Sequence, residues 1–113
     1  RRQKIPNMLL LFTYLQIKCM NKDERIKILE TSRVLHSQVE ASYLDNPAKK
    51  GDDMWLEKQR ILLADMSLHL LQTSIKPGEI ELDKLRNNLH AILTITDQFL
   101  PKAELKKAAE KLY

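Results

Sequence analysis

The chain has few of the residues that build disulfide-linked or β-rich proteins. Its 113 residues include one cysteine, two glycines, four prolines and only 5% aromatic residues. Since Cys19 is alone, it excludes an intramolecular disulfide and a structural zinc site made of several thiolates. The scarcity of glycine, proline and aromatic residues is unlike the turn-rich sequences of β-sandwiches and barrels. Straight-chain helix formers dominate instead, so we expect an all-α protein.

Long hydrophobic runs are also missing. The longest nearly continuous apolar run covers residues 8–20, short of the roughly 20 residues that cross a bilayer. No small-residue cleavage site follows it, as a signal peptide would require. Together with the lone cysteine, these absences favour an intracellular location, cytoplasmic or nuclear. Because the chain begins with Arg1 and Arg2 rather than methionine, we also expect it to be a piece of a longer protein.

The stretch over residues 53–75 has the most informative apolar pattern. On a helical wheel it carries two apolar stripes on nearly opposite sides, which predicts a helix sandwiched between other helices. The first stripe contains Trp55, Leu62, Leu63, Met66, His69 and Leu70. The second stripe contains Met54, Ile61, Ala64, Leu68, Leu71 and Ile75.

Two helices are predicted before this central one. The first starts near Pro6, which suits a first helical turn, and ends near Met20. Asn21, with Glu24 three residues later, resembles a capping box and begins a second helix that ends near Leu44. The predicted inward face of the second helix comprises Ile28, Leu29, Ser32, Leu35, His36, Val39 and Tyr43. A loop over residues 45–52 follows, and Asp52 or Asp53 is expected to cap the central helix.

Two more helices are predicted after the central one. Lys76-Pro77-Gly78 forms a short connection, so the next helix, over residues 79–99, should run antiparallel to the central helix. Its predicted core stripe is Leu82, Leu85, Leu89, Ile92, Thr96 and Phe99. Pro101 then opens a short helix with a thin apolar stripe. We therefore predict one domain over residues 1–113, an all-α, up-down helical bundle of four main helices plus a short C-terminal helix.

The three histidines are the first place to look for chemistry. His36, His69 and His90 lie on or beside apolar stripes of different helices, and together they would be able to bind a metal. None has a glutamate three residues before it, as carboxylate-type metal sites in bundles do. We therefore interpret them as histidines at the core edge and predict no metal and no cofactor. Asp65 could orient His69, although this spacing is more typical of a pair at the solvent edge.

No nucleophile elbow, phosphate loop or paired-carboxylate pattern is present, so we predict no catalytic residues and no enzymatic activity. The basic excess is more informative. The chain has 19 basic and 15 acidic residues, a net charge of +4, and the excess lies at its two ends. If the ends meet, they form one phosphate-attracting patch. Its residues are Arg1, Arg2, Lys4, Lys102, Lys106, Lys107 and Lys111.

The first predicted helix suggests a different function. Its apolar residues face most directions, so one side is expected to contact a partner protein or a second copy of the chain. Leu10, Leu11 and Tyr14 are the predicted partner-binding residues. The sequence thus favours a non-enzymatic protein–protein interaction or assembly module. The alternative is a nucleic-acid-binding accessory protein that uses the basic ends, and a third hypothesis is an adaptor at a membrane surface.

Overall fold

The computed structural model describes residues 19–113, and this part of the chain is all-helical. Helix α1 spans Lys22–Asp45, α2 spans Trp55–Ile75 and α3 spans Leu82–Thr96. A 3₁₀ turn over Pro101–Ala103 precedes the short helix α4, Leu105–Glu110. The four helices pack in chain order, α1 on α2, α2 on α3 and α3 on α4.

The three long helices run alternately up and down. At one end of the α1–α2 pair, the Arg25 guanidinium donates to the carbonyl oxygen of Ile75, and at the other end the Lys58 ammonium lies over the Tyr43 ring. The start of α1 therefore meets the end of α2. Helix α3 returns antiparallel to α2, because the end of α2 contacts the middle of α3, and the beginning of α2 contacts the residues just after the end of α3. The pairs are Thr73 with Asn88 and Trp55 with Gln98.

The sequence signals for helix ends are partly confirmed. Asn21 caps α1 through the predicted capping box, its side chain accepting from the Glu24 amide while the Glu24 carboxylate accepts from the Asn21 amide. The predicted cap of α2 is wrong. Met54 occupies the N-cap position without a side-chain hydrogen bond. The Asp52 carboxylate instead accepts from the Lys49 amide, so it stabilises the preceding turn rather than the helix.

Helix α3 is shorter at both ends than predicted. It begins at Leu82 because Glu79, Ile80 and Glu81 extend the connection, where Glu81 forms ion pairs with Lys76 at 2.9 Å and with Lys84 at 3.0 Å. It ends at Thr96, and the next three residues form a turn. Cys19 and Met20, where the first predicted helix was expected to end, lie outside any helix, and the rest of that predicted helix lies outside the described residues.

Few side chains of the described residues are fully buried. The buried apolar residues are Ala48, Ile95 and Ala109, and the buried polar residues are Ser32, Gln59 and Asp65. Several predicted core residues are not in the core. Leu35 is 44% exposed and Leu82 is 64% exposed. Trp55 is only half-buried, and its indole N–H donates to Gln98 at 2.9 Å.

The neighbours of α2 cover one of its two apolar stripes. Asp65 faces α1 and Thr73 faces α3. These positions are eight residues apart, only about 80° around the helix. Helix α3 therefore lies over the first stripe and α1 lies between the two stripes, so the described neighbours of α2 are not on its opposite sides as the sandwich prediction required. No residue of either stripe is fully buried, but all six of the first stripe are half-buried, whereas Met54, Ala64 and Leu71 of the second are exposed.

The predicted bundle of four main helices is confirmed only as an all-helical arrangement. The described residues form three long helices and the short α4. The remaining main helix is the first one predicted along the chain, from near Pro6 to near Met20, and it lies almost entirely outside the described residues. Within residues 19–113, no helix is long and apolar enough to span a membrane.

Candidate functional site

A carboxylate and two imidazoles meet at the middle of the α1–α2 contact. Asp65 lies on the face of α2 that packs against α1, and only 7% of its side chain is exposed. His36 on α1 is hydrogen-bonded to it, through Nδ1 of the imidazole and Oδ1 of the carboxylate. Because an ionised carboxylate only accepts hydrogen bonds, His36 Nδ1 carries the proton. A buried carboxylate without such a donor would be strongly destabilising.

The second imidazole comes from the next turn of α2. His69 follows Asp65 by four residues, so both side chains lie on one face of the helix. Its Nε2 is 3.8 Å from Asp65 Oδ2, and its ring lies edge-on to the His36 ring at a centroid distance of 4.8 Å. The two oxygens of Asp65 are thus turned toward different histidines. We call His36, Asp65 and His69 the histidine–aspartate cluster.

Glu40 lies next to this cluster on α1. Its Oε2 is 3.8 Å from Nε2 of His36, the ring nitrogen that does not contact Asp65. His36 therefore has a carboxylate beside each of its ring nitrogens. Glu40 was not among the residues that the sequence singled out, although it follows His36 at the same four-residue spacing that separates Asp65 and His69. That repeated spacing was the available signal.

The structure corrects the interpretation of Asp65 and refines that of the histidines. Asp65 was expected at the solvent edge, but it is buried, because it points across to α1 rather than along α2. His36 and His69 are brought together, whereas His90 lies apart, with its ring 5.5 Å from that of Tyr113. Among the described residues, the cluster is the one group of three metal-binding side chains whose ligand atoms all lie within 4.8 Å.

A polar cleft of about 390 Å³ opens beside the cluster. All three long helices line it, through Arg33 of α1, His69 and Thr73 of α2, and Lys84 and Asn88 of α3. His69 belongs to both the cluster and the cleft, and 37% of its side chain is exposed. The buried Asp65 is therefore close to solvent, with His69 between it and the cleft.

The opposite side of the α1–α2 pair is apolar. Leu35 precedes His36 by one residue and Leu68 precedes His69 by one, so each side chain is rotated about 100° from the contact between the helices. Because the helices are antiparallel, these rotations turn both side chains to the same side, away from α3 and the cleft. We call this surface the apolar face. It comprises Ile28, Leu35, Val39, Ile61, Leu68 and Leu71.

The predicted basic patch is seen only in part. Lys102, Lys106, Lys107 and Lys111 are all exposed around α4, and Lys107 pairs with Glu104 at 3.0 Å. Residues 19–113 contain 15 basic and 15 acidic residues and so have no net charge. The basic excess lies within residues 1–18, outside the described residues. Arg1, Arg2 and Lys4 of the predicted patch lie there, as do the predicted partner-binding residues Leu10, Leu11 and Tyr14.

Comparison with known proteins gives no relative for the chain. No protein-family model, no curated protein and no solved structure matches it. A functional assignment therefore depends on the geometry of the surfaces and the cluster described above.

Proposed function

We propose that this protein is a non-enzymatic assembly module that self-associates through its apolar face. The supporting observation is that two of the six residues of this face are exposed and the other four are only half-buried among the described helices. Leu35 is 44% exposed and Leu71 is 38% exposed. Leaving several large apolar side chains in contact with water on one surface costs free energy, which association with a second apolar surface recovers.

The composition of the apolar face suits an interface. Along α1, the positions that share this side between Ile28 and Ser42 are uncharged, and the same is true of α2 between Ile61 and Ile75. Depletion of charge at the centre is what distinguishes the core of a protein interface from the rest of a surface. The charged residues Glu24 and Glu57 lie at the ends of the two stripes, where an interface has its polar rim.

The dimensions of the face favour a second copy of this chain as its occupant. Where α1 and α2 run side by side they share about 20 residues, a length of about 30 Å. Two helices side by side are about 20 Å wide, which gives a surface of about 600 Å². A stable interface buries about 800 Å² on each partner, so this face supplies most of the area that one partner must contribute. Two copies packed face to face would bring four helices around one apolar core.

The test is the mass of the full-length protein in solution, measured by light scattering over a range of concentrations. The wild-type chain is expected to be a dimer, and Leu35→Glu or Leu71→Glu, each of which places a carboxylate in the face, is expected to make it monomeric. Leu44→Glu is the matched control. Leu44 is on α1 and is 71% exposed, but it points away from the apolar face, so this variant should remain a dimer.

Two results would overturn self-association through this face. One is a wild-type chain that stays monomeric at every concentration. The other is a dimer that survives both Leu35→Glu and Leu71→Glu but is lost in a Leu10→Glu, Leu11→Glu variant, which would move the contact to residues outside the described part. Circular dichroism of each variant checks that the helices are retained.

The alternative function, binding of nucleic acid, is supported by the four exposed lysines around α4. Because phosphate contacts release counterions, such binding should fall steeply as salt is raised. Self-association through apolar surface should tolerate the same salt. The discriminating variant is Lys106→Glu with Lys107→Glu, assayed with labelled single- and double-stranded nucleic acid. Binding that is unchanged in this variant would exclude these lysines as the contact.

A further inference from the structure

We propose that the histidine–aspartate cluster binds one divalent transition-metal ion of the zinc class. Two imidazole nitrogens and one carboxylate oxygen are a common donor set for such ions in proteins. The three ligand atoms come from two helices that are held together along their length, and they lie within 4.8 Å of one another. This site is independent of the apolar face, which lies on another side of the α1–α2 pair.

The ligand atoms lie close enough to accept an ion after their side chains turn: the hydrogen-bonded His36–Asp65 pair must move apart, and separations of up to 4.8 Å must close. Bonds from zinc to nitrogen or oxygen are about 2.0–2.2 Å long, so two ligand atoms in a tetrahedral site are about 3.3 Å apart. Asp65 is fixed by its burial, whereas His69 is partly exposed and can turn about its side-chain bonds. His69 Nε2 is 3.8 Å from Asp65 Oδ2, so a shift of about half an ångström brings this pair to the spacing of a tetrahedral site.

A metal ion would take the place of the proton on His36 Nδ1. Without the ion, His36 Nδ1–H donates a hydrogen bond to Asp65 Oδ1. When an ion binds, His36 Nδ1 and Asp65 become ligands, and the single hydrogen of the neutral imidazole moves through solvent to the other ring nitrogen, Nε2, which faces Glu40. A carboxylate that accepts from the second nitrogen of a ligating histidine fixes its orientation and strengthens metal binding.

The surroundings provide access and leave one coordination position open. The polar cleft reaches the cluster at His69, so an ion can enter from solvent without opening the α1–α2 contact. Three protein ligands leave the fourth position of a tetrahedral ion for water. A site with two imidazoles selects zinc, cobalt or nickel over magnesium and calcium, which prefer all-oxygen ligands.

The experiment is calorimetric titration of the tag-free full-length protein with Zn²⁺, and separately with Mg²⁺ and Ca²⁺. One equivalent of Zn²⁺ is expected to bind in the micromolar range or tighter, with no binding of the other two ions. Co²⁺ should bind at the same site and develop the visible absorption of tetrahedral coordination. His69→Gln should weaken Zn²⁺ binding at least about tenfold, because a direct ligand contributes no less than an outer-shell group.

Two controls make the result specific. His90→Gln removes the one histidine outside the cluster and should leave the affinity unchanged. Cys19→Ser removes the exposed thiol, which is itself a zinc ligand, and should also have no effect. Asp65→Asn should weaken binding as His69→Gln does, but its stability is at risk because Asp65 is buried. The partly exposed His69 therefore carries the decisive comparison, with helicity measured for each variant.

The proposal is overturned if the wild-type protein does not bind Zn²⁺, or if His69→Gln binds it as tightly as the wild type does. In either case the cluster is a hydrogen-bonded network only. Loss of binding in Cys19→Ser with retention in His69→Gln would likewise overturn it, by placing the ion at the thiol.

Discussion

The contact between α1 and α2 and the contact between α2 and α3 are made of different kinds of side chain. Each cross-link between α1 and α2 involves a charged or titratable group: Arg25 with the Ile75 carbonyl, His36 with Asp65, and Lys58 with Tyr43. Between α2 and α3 the links are neutral. They join Thr73 to Asn88, and they join Gln98 to Trp55 and Gln59.

The difference indicates how the two contacts respond to their surroundings. Neutral amides and hydroxyls keep their hydrogen bonds over a wide range of pH and salt, and the buried Ile95 adds apolar packing to α3. The α1–α2 links depend on charge and, if the proposed site is occupied, on a bound metal ion. We therefore expect the α2–α3 contact to be less sensitive than the α1–α2 contact to salt and to added metal ion. Both of the proposed sites lie on the α1–α2 pair.

The largest loss of stability is expected when an apolar side chain is removed from the α2–α3 contact. Ile95 is 6% exposed and lies seven residues after Asn88, so it is on the face of α3 that meets α2. Ile95→Ala should lower the free energy of unfolding by about 3 kcal/mol, because it removes buried apolar volume and leaves a cavity. The measurement is urea denaturation followed by circular dichroism.

Ile80→Ala is the matched control, since Ile80 is 44% exposed and lies outside the helices. It should change the free energy of unfolding by no more than about 0.5 kcal/mol. If both substitutions cost the same, apolar packing is not what distinguishes the α2–α3 contact.

A smaller loss is expected at the α1–α2 contact. Asp65→Ala removes the acceptor of the His36 hydrogen bond and leaves a partly buried donor without a partner, so stability should fall by about 2 kcal/mol. Asp65→Asn keeps an acceptor oxygen and should lose about half as much. The same urea titration measures both variants.

Asp83→Ala provides the comparison for Asp65→Ala. Its carboxylate also pairs with a basic side chain, Arg86 at 3.1 Å, but 93% of the Asp83 side chain is exposed. Exposed pairs of this kind contribute about 0–1 kcal/mol, so the variant should stay close to the wild type. A loss for Asp65→Ala as small as that for Asp83→Ala would show that the buried hydrogen bond does not stabilise the α1–α2 contact.

The helices and the contacts between them differ in how well the sequence alone could predict them. The helices of the described residues and their order were predictable, because apolar spacing and the Asn21–Glu24 capping box act within one segment of chain. The side of α2 that its neighbours cover was not predictable, because it depends on where α1 and α3 pack. Leu35 has the spacing of a core residue, yet it is turned about 100° from the contact that His36 makes.

Only two of the three residues of the histidine–aspartate cluster could be linked from the sequence. The pair Asp65 and His69 lies within one helix, so its four-residue spacing is visible in the sequence. The partner His36 lies 29 residues before Asp65, and only the antiparallel packing of α1 on α2 brings it there. The burial of Asp65 follows from the same packing. Spacing within one helix could therefore suggest the pair, but not the three-residue site.

The smallest change in stability is expected for a substitution of Glu81. This residue lies in the connection between α2 and α3, where it forms ion pairs with Lys76 and Lys84. Hydrogen bonds from Lys76 and then Lys84 hold the pKa of Glu81 below its ordinary value of 4.5. Since the folded-state pKa is the lower one, the ion pairs stabilise the protein above the unfolded-state pKa. That stability is lost as the pH falls through the folded-state pKa.

Glu81→Gln should therefore lower the urea midpoint slightly at neutral pH, and the difference from the wild type should disappear as the pH falls through the lowered pKa of Glu81. Glu79→Gln is the matched control, because Glu79 is an exposed acid in the same connection and forms no ion pair among the described residues. It should give no such pH-dependent difference. A difference for Glu81→Gln that persists unchanged at low pH would mean that Glu81 acts through packing rather than charge. The α2–α3 pair would then lack a pH-dependent contact even in its connection, and the contrast with α1–α2 would be sharper still.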